Sequence, residues 1–114
     1  MLTQLETSQP PATVPSRGKL VSIVMPVFNE VAVLRTLTAL VSQAFAESVY
    51  EHEIVYVNDG SSDGSAELLD EIAAVNSHVH VIHLSRNFGQ QSALQAGLAA
   101  ADGDAVVVMD SDLQ

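Results

Sequence analysis

The protein has 114 residues, of which 47% are hydrophobic and none is cysteine, so it fits one domain without disulfides or thiolate zinc sites. It carries 4 Lys and Arg against 14 Asp and Glu, a formal net charge of −10. This charge argues against unaided binding to nucleic acid or anionic lipid, and we expect a phosphate ligand to need a cation.

The first 19 residues are polar and contain Pro10, Pro11 and Pro15, which favour extended, solvated backbone. We predict a disordered leader over residues 1–19 and a folded region over residues 20–114. The N-terminus lacks the basic and apolar regions of a secretory signal, and no apolar run approaches the roughly 18 residues of a membrane span. The chain is therefore expected to be cytoplasmic.

The folded region begins with an apolar strand, predicted over Leu20–Met25. It is expected to end at Pro26 or just after, because Pro26 cannot donate to a strand ladder. Asn29 is predicted to cap the first helix, with Glu30 in its first turn. The inward face of that helix is marked by apolar residues at helical spacing: Leu34, Leu37, Val41, Ala44 and Phe45.

Three further strands and two further helices follow with the same alternation. The second strand, Glu53–Asn58, runs into a cluster of turn residues before a helix that places Leu68, Leu69, Ile72 and Ala73 inward. Val79–Leu84 is the third predicted strand, and an alanine-rich helix from about Gln90 to Ala101 would lie close to the sheet at Gly97. Ala105–Met109 is predicted to be a strand buried on both faces.

This alternation of strands and helices predicts an α/β fold, a Rossmann-like parallel sheet of about four strands with three helices. If the strand order reverses beside the first strand, the sheet runs 3-2-1-4. The loops at residues 26–30, 58–63 and 110–114 would then converge on one crevice at the carboxyl ends of the strands.

Asp110 and Asp112 end the last strand and face this crevice in the predicted sheet. Mg²⁺ or Mn²⁺ at a diphosphate is commonly held by one or two carboxylates, with phosphates and water completing the shell. Gln114 would add a neutral oxygen to the same ion. A plain strand-end turn is the alternative, since aspartate is common in turns.

The other two loops offer groups suited to a nucleoside. Asp59 could accept hydrogen bonds from a nucleobase, and Pro26 or Phe28 could form a wall on which the base stacks. Arg86, one of few basic residues, could pair with a phosphate, although the edge position of the third strand would require its loop to fold back. Each loop could instead serve only as a turn or cap. The four histidines are interpreted as solvated side chains rather than a metal site.

Three segments together resemble the N-terminal, nucleotide-sugar-binding half of family 2 glycosyltransferases with the GT-A fold. They are Val21–Glu30 (VSIVMPVFNE), Glu53–Gly64 (EIVYVNDGSSDG) and Gly103–Asp112 (GDAVVVMDSD). One departure from the family pattern is at position 58, where this chain has asparagine and many relatives carry a second aspartate. A narrower likeness, in Ser85–Gln90 and Asp110–Gln114, is to polyprenyl-phosphate glycosyltransferases and dolichol-phosphate mannosyltransferases.

This resemblance implies inverting transfer of a hexose from a UDP- or GDP-sugar to a polyprenyl phosphate at the cytoplasmic face of the membrane. Residues implied to bind the nucleotide sugar are Pro26, Phe28, Glu30, Asp59, Arg86 and Asp110. The residues implied to hold Mg²⁺ or Mn²⁺ are Asp110, Asp112 and Gln114. The resemblance places the catalytic base beyond Gln114, so the chain alone is expected to be inactive.

Other classes of protein fit the sequence less well. A dinucleotide-dependent oxidoreductase would carry a Gly-x-Gly-x-x-Gly after the first strand, where residues 26–30 read PVFNE. A phosphatase with an Asp-x-Asp nucleophile would usually carry it on the first strand. The serious alternative is a truncated, non-catalytic nucleotide-binding module.

Overall fold

The computed structural model describes residues 19–112, so the predicted leader, apart from Lys19, lies outside the described residues. The elements in chain order are β1 (Leu20–Val27), α1 (Leu34–Ala46), β2 (Glu51–Asn58), α2 (Ser65–Val75), β3 (Val79–His83), α3 (Gln90–Ala100) and β4 (Ala105–Val108). In this described part of the chain, no helix is both long enough and apolar enough to cross a membrane.

The four strands form one parallel sheet in the order β3-β2-β1-β4, which confirms the predicted order. Ile23 of β1 lies beside Ile54 of β2, and Val24 lies beside Val108 of β4. The chain moves outward from β1 to β3 and then returns across the sheet to β4. The boundary between β1 and β4 is therefore the point where the winding direction reverses, the usual ligand position in such sheets.

The larger part of the core lies between the sheet and the helices α1 and α2, where alternate residues of each strand point to one face. Its buried members are Ile23, Met25, Val27, Leu34, Leu37, Val41, Ile54, Tyr56, Leu69, Ile72 and Val79. The Tyr56 hydroxyl lies 2.6 Å from Thr38 Oγ1, and burial raises the pKa of Tyr56 despite this hydrogen bond. Ala44, which was predicted to face inward, is exposed.

The opposite face of the sheet is covered by α3. Val24, Val55, Val57 and Ala93 form its buried core. A side chain at Gly97 would overlap Val24, so the absence of a Cβ allows the helix to lie against the sheet as predicted.

β1 continues through Pro26 and ends at Val27, just after the proline, as predicted. Val27 O accepts a bond from Asp59 on the β2 side, whereas Val24 O accepts one from Met109 on the β4 side. The backbone N–H and C=O groups of successive strand residues point to opposite neighbouring strands. The Pro26 nitrogen therefore faces β4, at a position just past the end of that strand. The missing N–H therefore costs no ladder bond.

The prediction that the last strand is buried on both faces is wrong. The relative solvent exposure is 41–47% for Val106, Val107 and Val108, and 38% for Met109. Within residues 19–112, β4 pairs only with β1, and α3 packs over β1 and β2 instead. An uninterrupted apolar run indicates a strand, but whether other elements cover it depends on the tertiary arrangement.

A buried polar network fixes the start of β4 at the amino end of the sheet. Glu53, 6% exposed, accepts hydrogen bonds from Ser22 Oγ and from the Asp102 backbone N–H at 2.8 Å. The Gly103 N–H donates to Ser22 Oγ at 2.8 Å, and His80 Nε2 lies 3.4 Å from Glu53. These contacts join β1, β2, β3 and the segment that enters β4.

Candidate nucleotide-sugar site

A cavity of about 390 Å³ opens at the carboxyl end of the sheet, at the boundary between β1 and β4. Its lining residues come from the end of β1 and from the segments that follow each of the four strands: Pro26, Val27, Phe28, Glu30, Asp59, Asn87, Gly89, Gln90, Asp110, Ser111 and Asp112. Six predicted site residues thus meet around one space: Pro26, Phe28, Glu30, Asp59, Asp110 and Asp112. Gln114 lies outside the described residues.

The first wall of the cavity is the segment between β1 and α1, and it is held by the loop after β2. Asn29 adopts a left-handed backbone conformation with φ 56°. Its N–H donates to Ser61 Oγ at 2.9 Å, and its side-chain oxygen accepts the Ser62 N–H at 2.8 Å. Asn29 is therefore a bridge between two loops rather than the predicted helix cap, and α1 begins later, at Leu34.

Two further contacts fasten the same wall to the start of α2. The Glu30 N–H donates to Ser65 Oγ at 3.1 Å, and the Val31 N–H donates to Asp63 Oδ2 at 3.1 Å. Desolvation acts to raise the pKa of Asp63, but hydrogen bonds from Ser65 and from backbone N–H groups outweigh it, and the pKa is lowered. The turn residues after β2 thus place Phe28 and Glu30 at the cavity.

Asp59 lies at the floor of the cavity and is only 4% exposed. Its carboxylate accepts the Phe88 N–H at 2.8 Å and the Gly89 N–H at 3.1 Å. Both of its oxygens thus bind the loop after β3, a contact that the sequence pattern did not reveal.

Asp110 and Asp112 flank a buried serine that ties the end of β4 to β1. Ser111, 4% exposed, donates from Oγ to Pro26 O at 2.9 Å. This bond sets both carboxylates at the cavity. Residues 19–112 contain no group of three or more His, Asp or Glu side chains that forms a metal site by itself. Two carboxylates beside a space large enough for phosphates nevertheless fit the oxygen donors that Mg²⁺ and Mn²⁺ take at a diphosphate.

Arg86 is not among the residues that line this cavity. Its guanidinium carbon lies 4.7 Å from the centre of the Phe88 ring, within cation–π distance. The side chain lines a neighbouring depression, together with Glu67, Asp70 and His83.

The cavity also contains residues that sequence reasoning did not assign. Asn87, Gly89 and Gln90 come from the loop after β3 and the start of α3, and Ser111 comes from the loop after β4. Asn87, Gly89 and Gln90 follow β3, which lies at the edge of the sheet and away from the crevice. The close approach at Gly60, described below, explains how they reach it.

The histidines are not simply solvated. The His52 ring stacks on Phe45 with centroids 4.9 Å apart and meets the edge of His78 at 4.6 Å. His83 lies between Asn58 Nδ2 at 3.0 Å and Asp70 Oδ1 at 2.8 Å. The partners of His83 could not be identified from spacing, because Asn58 and Asp70 are 25 and 13 residues away in the chain.

A parallel sheet of this order, with three helices and a cavity at the reversal point, is the N-terminal part of a GT-A fold, as predicted. The chain also matches the profile of Glycosyl transferase family 2 over residues 22–114 and therefore belongs to this family.

Among its curated relatives is an undecaprenyl-phosphate 4-deoxy-4-formamido-L-arabinose transferase from Proteus mirabilis. The two are 45% identical over 95 residues, which is 82% of this chain and 29% of the relative. The chain thus spans less than a third of the length of this relative.

Two solved structures have a similar fold. A mannosyltransferase from Pyrobaculum calidifontis, in complex with GDP-Man and Mn²⁺, superposes with a TM-score of 0.67 at 23% identity, over 85% of this chain and 28% of that one. Glucosyl-3-phosphoglycerate synthase from Mycobacterium tuberculosis, in complex with Mn²⁺, UDP and phosphoglyceric acid, gives 0.61 at 29% identity, over 82% and 33%.

Proposed function

We propose that the protein binds the donor for a glycosyltransferase that moves a hexose from a UDP- or GDP-sugar to a polyprenyl phosphate. The observation that carries this proposal is the convergence of six predicted site residues on one cavity at the reversal point of the sheet. Family membership supports the reaction class. The undecaprenyl-phosphate acceptor in the name of the Proteus mirabilis relative supports the lipid phosphate.

In this proposal the nucleoside lies against the first wall. Phe28, 47% exposed, and the Pro26 ring offer the surface for stacking a base. Glu30 and Asp59 border the same space and supply acceptors for ribose or base. A role for Arg86 at the phosphates requires its side chain to leave the Phe88 ring.

The diphosphate is proposed to lie at Asp110 and Asp112 with Mg²⁺ or Mn²⁺, and Gln114 is proposed as a further oxygen donor. A divalent cation there would neutralise negative charge on the departing nucleotide. The protein carries a net charge of −10 and therefore repels a diphosphate, so a cation is needed to offset this repulsion. The Mn²⁺ in two similar structures supports a cation of this class.

The proposed reaction proceeds with inversion. A lipid phosphate oxygen attacks the anomeric carbon from the side opposite the nucleotide, and the bond between that carbon and the diphosphate oxygen breaks. Because the attacking phosphate is already an anion, the step demands little of a general base. We assign no catalytic base in this chain, and we propose that the reaction takes place at the cytoplasmic face of the membrane, in line with the family resemblance.

The test is an NMR titration of the 114-residue protein with UDP and with GDP, each with and without a divalent cation. Mg²⁺ serves for chemical shifts and Mn²⁺ for paramagnetic broadening. We expect shifts at Phe28 and Asp59, broadening around Asp110, and loss of the cation-dependent part in Asp112→Ala. The nucleotide that binds more tightly identifies the base. Dispersed spectra that respond to neither nucleotide would contradict the proposal.

The alternative, a nucleotide-binding module without catalysis, predicts the same titration. Both readings predict that the 114-residue protein binds the nucleotide without forming product, and a transfer assay with a polyprenyl phosphate tests this shared expectation. Product formed by the 114-residue protein would exclude the non-catalytic module and would contradict the expectation that the chain alone is inactive.

A further inference from the structure

The loop after β3, residues 84–89, reaches a cavity from which its strand is separated. β3 is the edge strand, two positions away from the boundary between β1 and β4. Asn87 and Gly89 nevertheless line the cavity, and Gln90 follows them at the start of α3. The loop must therefore cross over the end of β2, and contacts with β2 must hold it there.

The loop crosses β2 directly over Gly60 and in close contact with it. A Cβ at Gly60 would overlap the backbone at Arg86 and Asn87, and the residue has a φ of 73°, which side chains rarely adopt. Glycine is therefore required here both by close approach and by backbone conformation. The Leu84 N–H, which donates to Asn58 O at 2.9 Å, begins the same crossing.

Asp59 binds the end of the loop, at Phe88 and Gly89. Its two oxygens each accept one backbone N–H, from Phe88 and from Gly89. The carboxylate is 4% exposed, so these charge-assisted bonds are shielded from water and from salt. No other side-chain acceptor holds these two N–H groups among the hydrogen bonds found in residues 19–112.

We propose that Asp59 is a positioning residue, which acts on the donor by clamping the loop at residues 86–89 over Gly60 as a wall of the cavity. This inference rests on the proposed function and assigns Asp59 an indirect role in addition to its proposed contact with ribose or base. In this proposal the Asp59 contacts also keep Asn87 and Gln90 beside the bound nucleotide.

The test compares three variants of the 114-residue protein by amide hydrogen exchange and by nucleotide titration. Asp59→Asn keeps the shape but converts one acceptor oxygen into an NH₂ group, which cannot accept an N–H. Gly60→Ala pushes the same loop away and leaves the carboxylate intact. Gly64→Ala is the matched control, because Gly64 also has positive φ (96°) but a Cβ there would be 3.8 Å from the nearest side chain. Far-UV circular dichroism verifies that each variant is folded.

We expect Asp59→Asn and Gly60→Ala to accelerate exchange at Phe88 and Gly89 without ligand, and to weaken binding of UDP or GDP by a similar factor, about tenfold. Gly64→Ala should change neither. Removing a negative charge from the cavity would, by charge alone, favour the nucleotide, so a loss in Asp59→Asn is informative.

Two results would overturn the inference. The first is unchanged exchange at Phe88 and Gly89 in Asp59→Asn. The second is wild-type nucleotide affinity in Gly60→Ala with a displaced loop, which would show that the position of the loop does not affect nucleotide binding. Failure of the proposed function looks different: the wild-type protein would show a protected loop and no response to either nucleotide.

Discussion

At the scale of single residues, His52 carries the clearest link between structure and pH. Its ring lies between Phe45 and His78, and its Nε2 is buried with no hydrogen-bond partner in the described part of the chain. Burial, and secondarily the neighbouring positive charge of His78, lowers the pKa of His52 below 6.5. The folded protein thus disfavours the charged ring.

We therefore predict that the free energy of unfolding falls as the pH is lowered from neutrality. Below the unfolded-state pKa of 6.5, the unfolded chain takes up a proton that the folded chain does not, and the loss continues until the pH passes the lowered folded-state pKa. Urea unfolding at several pH values between about 7.5 and 5.5 measures this slope.

His52→Phe keeps a ring against Phe45 and should flatten the slope. His80→Gln, at a position whose side chain is 54% exposed, is the matched control and should retain the contribution of His52. A slope unchanged in His52→Phe would show that other groups cause the pH dependence.

At the scale of elements, the placement of β4 decides where the carboxylate pair lies. β4 is short and exposed, and its apolar side chains bury little surface to hold it. Polar contacts hold it at both ends: Asp104 Oδ2 accepts the Leu20 N–H at 2.9 Å, and Ser111 bonds to Pro26. The Glu53 network anchors the segment that enters the strand.

We predict that Glu53→Ala destabilises the protein by about 1–3 kcal/mol, because it leaves the buried Ser22 hydroxyl and the partly buried Asp102 N–H without an acceptor. The same variant should shift amide resonances along β4 and weaken the cation-dependent part of nucleotide binding, although Glu53 lies at the opposite end of the sheet. Urea unfolding and NMR measure the two effects.

Glu47→Ala, which removes an exposed carboxylate just after α1, should change stability by no more than about 0.5 kcal/mol. Undisturbed β4 resonances in Glu53→Ala would contradict the anchoring role of the network.

At the scale of the whole molecule, the negative net charge of the protein opposes the binding of an anionic ligand. The net charge is −10, and four acidic residues border the proposed site: Glu30, Asp59, Asp110 and Asp112. Without a divalent cation, a nucleoside diphosphate approaches a surface that repels it. Salt screens such repulsion, with a Debye length of about 10 Å at 0.1 M.

We predict that binding of UDP or GDP without divalent cation strengthens as NaCl rises from about 20 to 200 mM, because screening reduces the repulsion. Isothermal titration calorimetry at two salt concentrations measures it. The uncharged nucleosides uridine and guanosine are the controls and should respond little. Weaker nucleotide binding at higher salt would mean that attraction, for example to Arg86, dominates at the site.

The sequence by itself determined the elements, their order and the ends of strands at which ligand groups gather. Strand and helix periods are local properties, and short connections between alternating elements predict a parallel sheet. The order 3-2-1-4, and with it the meeting of residues 26–30, Asp59 and Asp110, followed once a reversal of strand order beside the first strand was assumed. Buried apolar runs such as Ile54–Val57 are visible because strand periods are local.

Tertiary structure alone decided the contacts between loops and the burial of the last strand. The bridge from Asn29 to Ser61 and Ser62, and the clamp from Asp59 to the loop after β3, join residues about 30 positions apart, where no local pattern records the pairing. The exposure of Val106–Val108 depends on which elements pack over them, a property of the packing and not of the strand's own residues.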